Sequence, residues 1–134
     1  MKAIFNKIYF LFFAFPLLVI AQPKNEVNPN GYNTFFYDNG KVSSEGTMRD
    51  GKPDGYWKNF YPDGNIKNEG NRLNYELDST WKLYNEKGRI NKSFNYKEGK
   101  KNGFTVNYDT TGKILQKENF VNNIKAGNSY TYYK

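Results

Sequence analysis

The sequence predicts an all-β fold: a single antiparallel meander sheet of stacked 24-residue β-hairpin repeats, preceded by a signal-peptide helix. Three observations carry this. Gly40, Gly64, Gly88 and Gly112 fall 24 residues apart, each with an aromatic residue four positions before it and Val or Ile two positions after it. The flanking columns hold the same phase, with Phe36, Phe60, Tyr84, Tyr108 and Tyr132 on one side and Val42, Ile66, Ile90 and Ile114 on the other. A further column of Gly31, Gly55, Ser79, Gly103 and Gly127 opens each unit, so the units run 31–54, 55–78, 79–102 and 103–126, with a half-unit at 127–134. A fixed period of this length is the signature of stacked supersecondary units.

The N-terminus lies outside the repeat. Lys2 and Lys7 precede an apolar run from Ile8 to Ile20 that ends in Val19-Ile20-Ala21. A positive start, a hydrophobic middle and small residues at the last positions make residues 1–21 a signal peptide cut after Ala21, and so predict an exported protein, periplasmic or extracellular. The run is shorter than the ~20 residues of a spanning helix, so no retained transmembrane helix is expected. No cysteine is present, which removes a lipoprotein-type anchor and any disulfide. Without the signal, 18 basic side chains stand against 13 acidic ones, a net charge of +5. The charge is spread out, as on a solvated surface. Residues 22–30, with Pro23 and Pro29 and no apolar periodicity, read as a flexible lead-in.

Each unit reads as a hairpin with two turns. The first is Asp38-Asn39-Gly40 and its equivalents ending at Gly64, Gly88 and Gly112. A three-residue loop of this kind is a type I turn followed by a residue at positive φ, where glycine has no Cβ to clash. That geometry sets the register: Phe36 faces Val42, Phe60 faces Ile66, Tyr84 faces Ile90 and Tyr108 faces Ile114. An aromatic opposite a β-branched residue contributes about 0.2–1 kcal/mol per pair. The second turn is looser, spanning Asp50 to Asp54 in one unit and Glu98 to Asn102 in another. Leu73, Leu77, Trp81 and Tyr84 also fall at helical spacing, but a helix over 71–87 would swallow a repeat boundary that the other units keep. Isolated hairpins are marginal in water, so the units must pair edge to edge.

Strand parity gives both faces apolar character. Tyr32, Tyr56 and Phe104 share a face with Phe36, whereas Trp57 and Trp81 share the other with Tyr37, Tyr61 and Tyr133. The expected core is the ladder of Phe36, Val42, Phe60, Ile66, Tyr84, Ile90, Tyr108, Ile114 and Tyr132, because every unit completes it. The tryptophan face has gaps at Asn33, Thr105 and Ser129. It is the candidate binding face, through Tyr37, Trp57, Tyr61 and Trp81, with Lys58 and Lys82 at opposite parity.

Residues 55–70, Gly-Tyr-Trp-Lys-Asn-Phe-Tyr-Pro-Asp-Gly-Asn-Ile-Lys-Asn-Glu-Gly, resemble the variant MORN repeat of bacterial proteins. Tyr37, Asn39, Gly40, Glu45, Gly46, Asp50 and Gly51 look like the same motif in the first unit. The resemblance covers residues 31–134 and weakens later, where Phe94 and Glu118 replace the second glycine and Thr105 replaces the tryptophan. Families with such repeats include YwqK-type antitoxins, and MORN arrays elsewhere are linked to membrane lipids and protein scaffolding. The resemblance implies a non-enzymatic binding array.

The chain has no histidine and no cysteine. That removes Ser-His-Asp and Cys-His nucleophile systems and the zinc sites built from those ligands. Glycines without a following helix make no phosphate-binding loop. The expectation is therefore no enzyme, no cofactor and no metal site. The expected partner is another protein, held by a sheet face or by strand addition at the N-terminal edge. An anionic envelope lipid or polysaccharide is the alternative, and nucleic acid fits an exported chain least.

Overall fold

The structure is a computed structural model that describes residues 26–132. The signal peptide with its cleavage point, and Tyr133 and Lys134, lie outside the described residues.

Nine strands follow one another in a single sheet: β1 (Tyr32–Phe36), β2 (Val42–Arg49), β3 (Lys52–Phe60), β4 (Ile66–Leu73), β5 (Glu76–Tyr84), β6 (Ile90–Lys97), β7 (Lys100–Tyr108), β8 (Ile114–Val121) and β9 (Ile124–Thr131). The order is β1 through β9 without a crossover, and every pair is antiparallel. The predicted all-β meander is the fold. The stretch 71–87 is the end of β4, a tight turn and β5, and holds no helix. Phase wins over the local helical stripe because pairing on both sides of β4 and β5 supplies hydrogen bonds that an isolated amphipathic helix could not match.

The register across the first turn is the one the sequence predicts. Phe36 pairs with Val42, Phe60 with Ile66, Tyr84 with Ile90 and Tyr108 with Ile114, each beside a register shift. Gly40, Gly64, Gly88 and Gly112 have φ of 79°, 100°, 72° and 87°. The Tyr37 amide donates to the Lys41 carbonyl at 2.8 Å, closing the loop over Asp38-Asn39-Gly40.

The second turn corrects the sequence reading. It is tight, with two residues between Arg49 and Lys52, Leu73 and Glu76, Lys97 and Lys100, and Val121 and Ile124. Both central residues take positive φ in every copy, at Asp50-Gly51, Asn74-Tyr75, Glu98-Gly99 and Asn122-Asn123. This is the type I′ signature, whose twist matches that of the flanking strands. Gly55, Gly103 and Gly127, read as unit openers, lie inside β3, β7 and β9 at φ of 85°, 100° and 70°, and Ser79 takes 57° in β5. They occupy bulges in which three residues face one on the preceding strand, as Asp54, Gly55 and Tyr56 face Thr47 between the pairs Met48–Pro53 and Gly46–Trp57. Such a bulge bends the strand and raises its local twist.

A second correction concerns the lead-in. The Asn28 amide donates to Asn33 Oδ1 at 2.7 Å, and Asn33 Nδ2 donates to the Asn28 carbonyl at 2.8 Å. The Gly51 amide donates to the Pro29 carbonyl at 2.9 Å, and the Asp50 amide to Asn30 Oδ1 at 2.8 Å. Residues 28–30 thus fasten the first edge of the sheet. Two prolines mask this, because the pattern comes from backbone carbonyls and asparagines rather than from apolar periodicity.

Candidate binding faces

The buried tryptophans fall on the opposite face from the one the sequence favours, although Val106 and Ser93, also buried, lie on the Phe36 side. The buried apolar side chains are Trp57 and Trp81, each 7% exposed, and Val106. Phe36 is 50% exposed and Tyr132 45%, while the rest of the expected ladder is half-buried. The reason is packing of unequal partners. A Cβ on Gly46 would overlap the Trp57 ring, and one on Gly70 would overlap the Trp81 ring, so each indole lies flat on glycine backbone in the preceding strand. Trp81 Nε1 donates to the Asn71 carbonyl at 2.7 Å, which satisfies its polar edge. Rings on the Phe36 side pair with Val or Ile rather than lying on glycine, in a sheet one layer thick.

The apparent decay of the motif in later units is a compensated exchange of bulk. Phe94 pairs with Thr105 and Glu118 with Ser129, at the positions of Gly46 and Trp57. Small then large becomes large then small. Thr105 is 3% exposed, so the exchange still fills its place.

Of the four residues expected to form a binding face, Trp57 and Trp81 are buried, and Tyr37 and Tyr61 are half-buried and tied down by their hydroxyls. Trp57 and Trp81 offer no open ring surface for a glycan. The Tyr37 hydroxyl donates to the Phe60 carbonyl at 2.6 Å, and the Tyr61 hydroxyl to the Tyr84 carbonyl at 2.9 Å, so each fastens its unit to the next. Their successors Asn85 and Asp109 cap their own loops instead, accepting from Arg89 and Lys113 amides at 3.0 Å. Lys58 and Lys82 lie on the Phe36 side, as parity requires, paired across the strands with Glu45 and Glu69.

Other cations reach the tryptophan side, and sequence reasoning passed over them. Arg72 lies 5.6 Å from the Trp81 ring centre, Lys92 5.2 Å and Lys101 5.0 Å from that of Phe94, and Lys101 5.4 Å from that of Phe120. Lys125 donates to Glu118 at 2.7 Å, which holds that carboxyl below its ordinary range, with Lys92 and Lys101 adding to the effect. The signal was available as strand parity counted from Phe94, because the bulges set three residues against one and so leave parity unchanged.

The Phe36 side carries two features. Of the large apolar side chains that stand exposed among the described residues, all but Val27 and Leu115 are here, including Tyr32 at 60%, Tyr56 at 50%, Phe104 at 42% and Tyr130 at 47%. A row of alternating charge also crosses the strands: Glu45 to Lys58, Lys58 to Glu69, Glu69 to Lys82. Lys58 Nζ lies 3.4 Å from Glu45 Oε1. Tyr84 donates to Glu69 Oε1 at 2.6 Å. Burial alone would raise the Glu69 carboxyl, but hydrogen bonds from Tyr84 and Tyr56 and the nearby Lys82 and Lys58 outweigh it and hold it below its ordinary value. Burial, and then the bond to Glu69, pushes the Tyr84 hydroxyl well up. Among the described residues no group of three or more acidic side chains is placed to hold a metal ion.

An open, single-layer array of hairpin repeats with two unlike faces is the class this geometry defines. Residues 29–50, 53–74 and 105–122 match the MORN repeat variant family, so the chain carries three repeats similar to that motif. The unmatched unit between them, with Ser79 and Phe94, keeps the same hairpin. No curated protein and no solved structure matches the chain.

Proposed function

We propose that this protein is a non-enzymatic, exported repeat module of the bacterial cell envelope that binds or scaffolds another protein through its Phe36 face. The observation that carries the reading is the concentration of exposed aromatic and aliphatic side chains on that one face. A solvated face of an antiparallel sheet is ordinarily polar, and large exposed apolar patches mark interaction sites. Tyrosine and phenylalanine are the residues that protein interfaces favour. The test is site-specific photo-crosslinking in cells from Tyr56 on this face and from Lys92 on the other. A protein adduct from Tyr56 and none from Lys92 is expected; adducts from Lys92 alone, or from neither, would reject the reading. Antitoxin or immunity function is a special case, in which the captured protein is a toxin.

Arg72, Lys92, Lys101 and Lys125 on the opposite side favour a second reading, adhesion to an anionic envelope surface. It predicts binding to phosphatidylglycerol vesicles that weakens with salt and is lost in Lys92→Glu/Lys101→Glu.

A further inference from the structure

We propose that two copies of this chain pack Phe36 face against Phe36 face about a two-fold axis that runs parallel to the strands between Lys58 and Glu69. The proposal rests on the reading of that face as a protein-binding surface, and it names the partner. Across β1 to β6 the central row reads Thr34, Glu45, Lys58, Glu69, Lys82, Ser93. A two-fold axis in the interface plane reverses such a row and leaves the hairpin loops at the same end, so that each contact occurs twice. On reversal Glu45 meets the partner's Lys82 and Lys58 meets the partner's Glu69, while Thr34 and Ser93, the latter buried beside Tyr108, bring no charge to the ends of the row. The row is its own complement.

The ladder beside it behaves alike. Phe36 meets the partner's Ile90, Phe60 meets the partner's Ile66, and Tyr84 meets the partner's Val42. Every ring opposes a branched aliphatic side chain, because aromatic and aliphatic residues alternate over an even number of strands. The tryptophan side has no such property, since its cations Arg72, Lys92, Lys101 and Lys125 leave Glu118 as their one counter-charge near the rings. Beyond β6 the central row continues with Val106, Lys117 and Tyr130, which have no counterparts, so the contact ends there. Six strands at ~4.8 Å span about 24 Å, and two sheets stack face to face at ~10 Å with strand directions within about 30° of each other, as an axis along the strands requires. The rings supply the buried area and the charges fix the register.

Sedimentation equilibrium of the purified chain tests this, with Glu45→Lys, Lys82→Glu and the double variant. Glu45 lies beside Lys58, and Lys82 beside Glu69; they are on β2 and β5 and do not pair within one copy. Each reversal brings like charges together inside the copy, and the double variant keeps both repulsions. Recovery in the double variant therefore reports the contact between copies alone. The expected result is a wild-type dimer, weakened at least about tenfold by either reversal, and restored to within a few-fold by the pair. A wild-type monomer at ~100 µM, single reversals without effect, or a double variant as weak as the singles would overturn the proposal. Circular dichroism confirms that each variant folds; should a reversal not fold, Lys82→Gln, at an exposed position, must still weaken the dimer. A monomeric wild type whose Tyr56 crosslinks to a different protein overturns the two-fold and leaves the protein-binding reading standing, whereas a monomer without crosslinks rejects both.

Discussion

Ser79 occupies a position that the other repeats give to glycine. It holds φ of 57° where Gly55, Gly103 and Gly127 hold 85°, 100° and 70°. A residue with a Cβ gives up about 1–2 kcal/mol in this region, partly recovered because it loses less backbone freedom on folding than glycine. Its hydroxyl bonds the neighbouring Asp78 carboxylate at 2.6 Å on an exposed stretch, a contact worth little in water. Ser79→Gly is therefore expected to stabilise the array by about 0.5–1 kcal/mol. The check is the urea midpoint, and an unchanged or lower midpoint would show that the bulge does not strain Ser79. Serine was visible in the glycine column from sequence. What it had to do there was not, because the column was taken to be a turn, and the bulge shows only in the pairing of β5 with β4, where Ser79, Thr80 and Trp81 face Gly70.

At the scale of the element, the hairpins are held by complementary volume more than by any one residue type. Gly70 has ordinary φ, so its intolerance of a side chain comes from the Trp81 ring alone. Gly70→Phe should cost at least about 1–3 kcal/mol by overpacking, and Trp81→Thr about 3–5 kcal/mol by leaving a void. Combined, the two reproduce the Phe94–Thr105 arrangement of the next unit, and the double variant should recover at least about 1 kcal/mol relative to the sum. A thermodynamic cycle from denaturant unfolding measures this; strict additivity would mean that the exchange between units is coincidence. The first turn was fully legible, because one loop type explains glycine, aromatic and aliphatic columns together. The choice of buried face was not. Completeness of the Phe36 ladder argued for a core, but a ring is buried by lying on something small, and only pairing shows that Gly46 and Gly70 lie under the tryptophans.

For the molecule as a whole, each unit touches only its neighbours, as a linear array requires. Side chains of each loop reach carbonyls of the next: the Asn39 side chain donates to the Pro62 carbonyl at 3.0 Å, Asn65 to that of Glu86 at 2.8 Å, and Arg89 to that of Thr110. Deleting residues 79–102 removes one complete unit and brings Tyr108 into the place of Tyr84 beside Glu69. The shortened chain is expected to fold cooperatively, with a lower midpoint and a denaturant slope reduced in proportion to its size. Deleting 79–90 removes half the period and reverses every later strand, so it should abolish the cooperative transition. Equal behaviour of the two deletions would refute the nearest-neighbour picture.

By itself the sequence determined the period, the strand directions, the loop glycines and the cross-strand register at the loops, since all of these follow from local backbone geometry repeated in phase. Tertiary structure alone decided which face is buried, where the bulges fall, and which cations sit over which rings. Those outcomes depend on whether neighbouring strands present glycine or bulk beneath a ring, and on two extra residues in each of β3, β5, β7 and β9 that shift the register against the preceding strand without leaving a mark in the pattern of apolar residues.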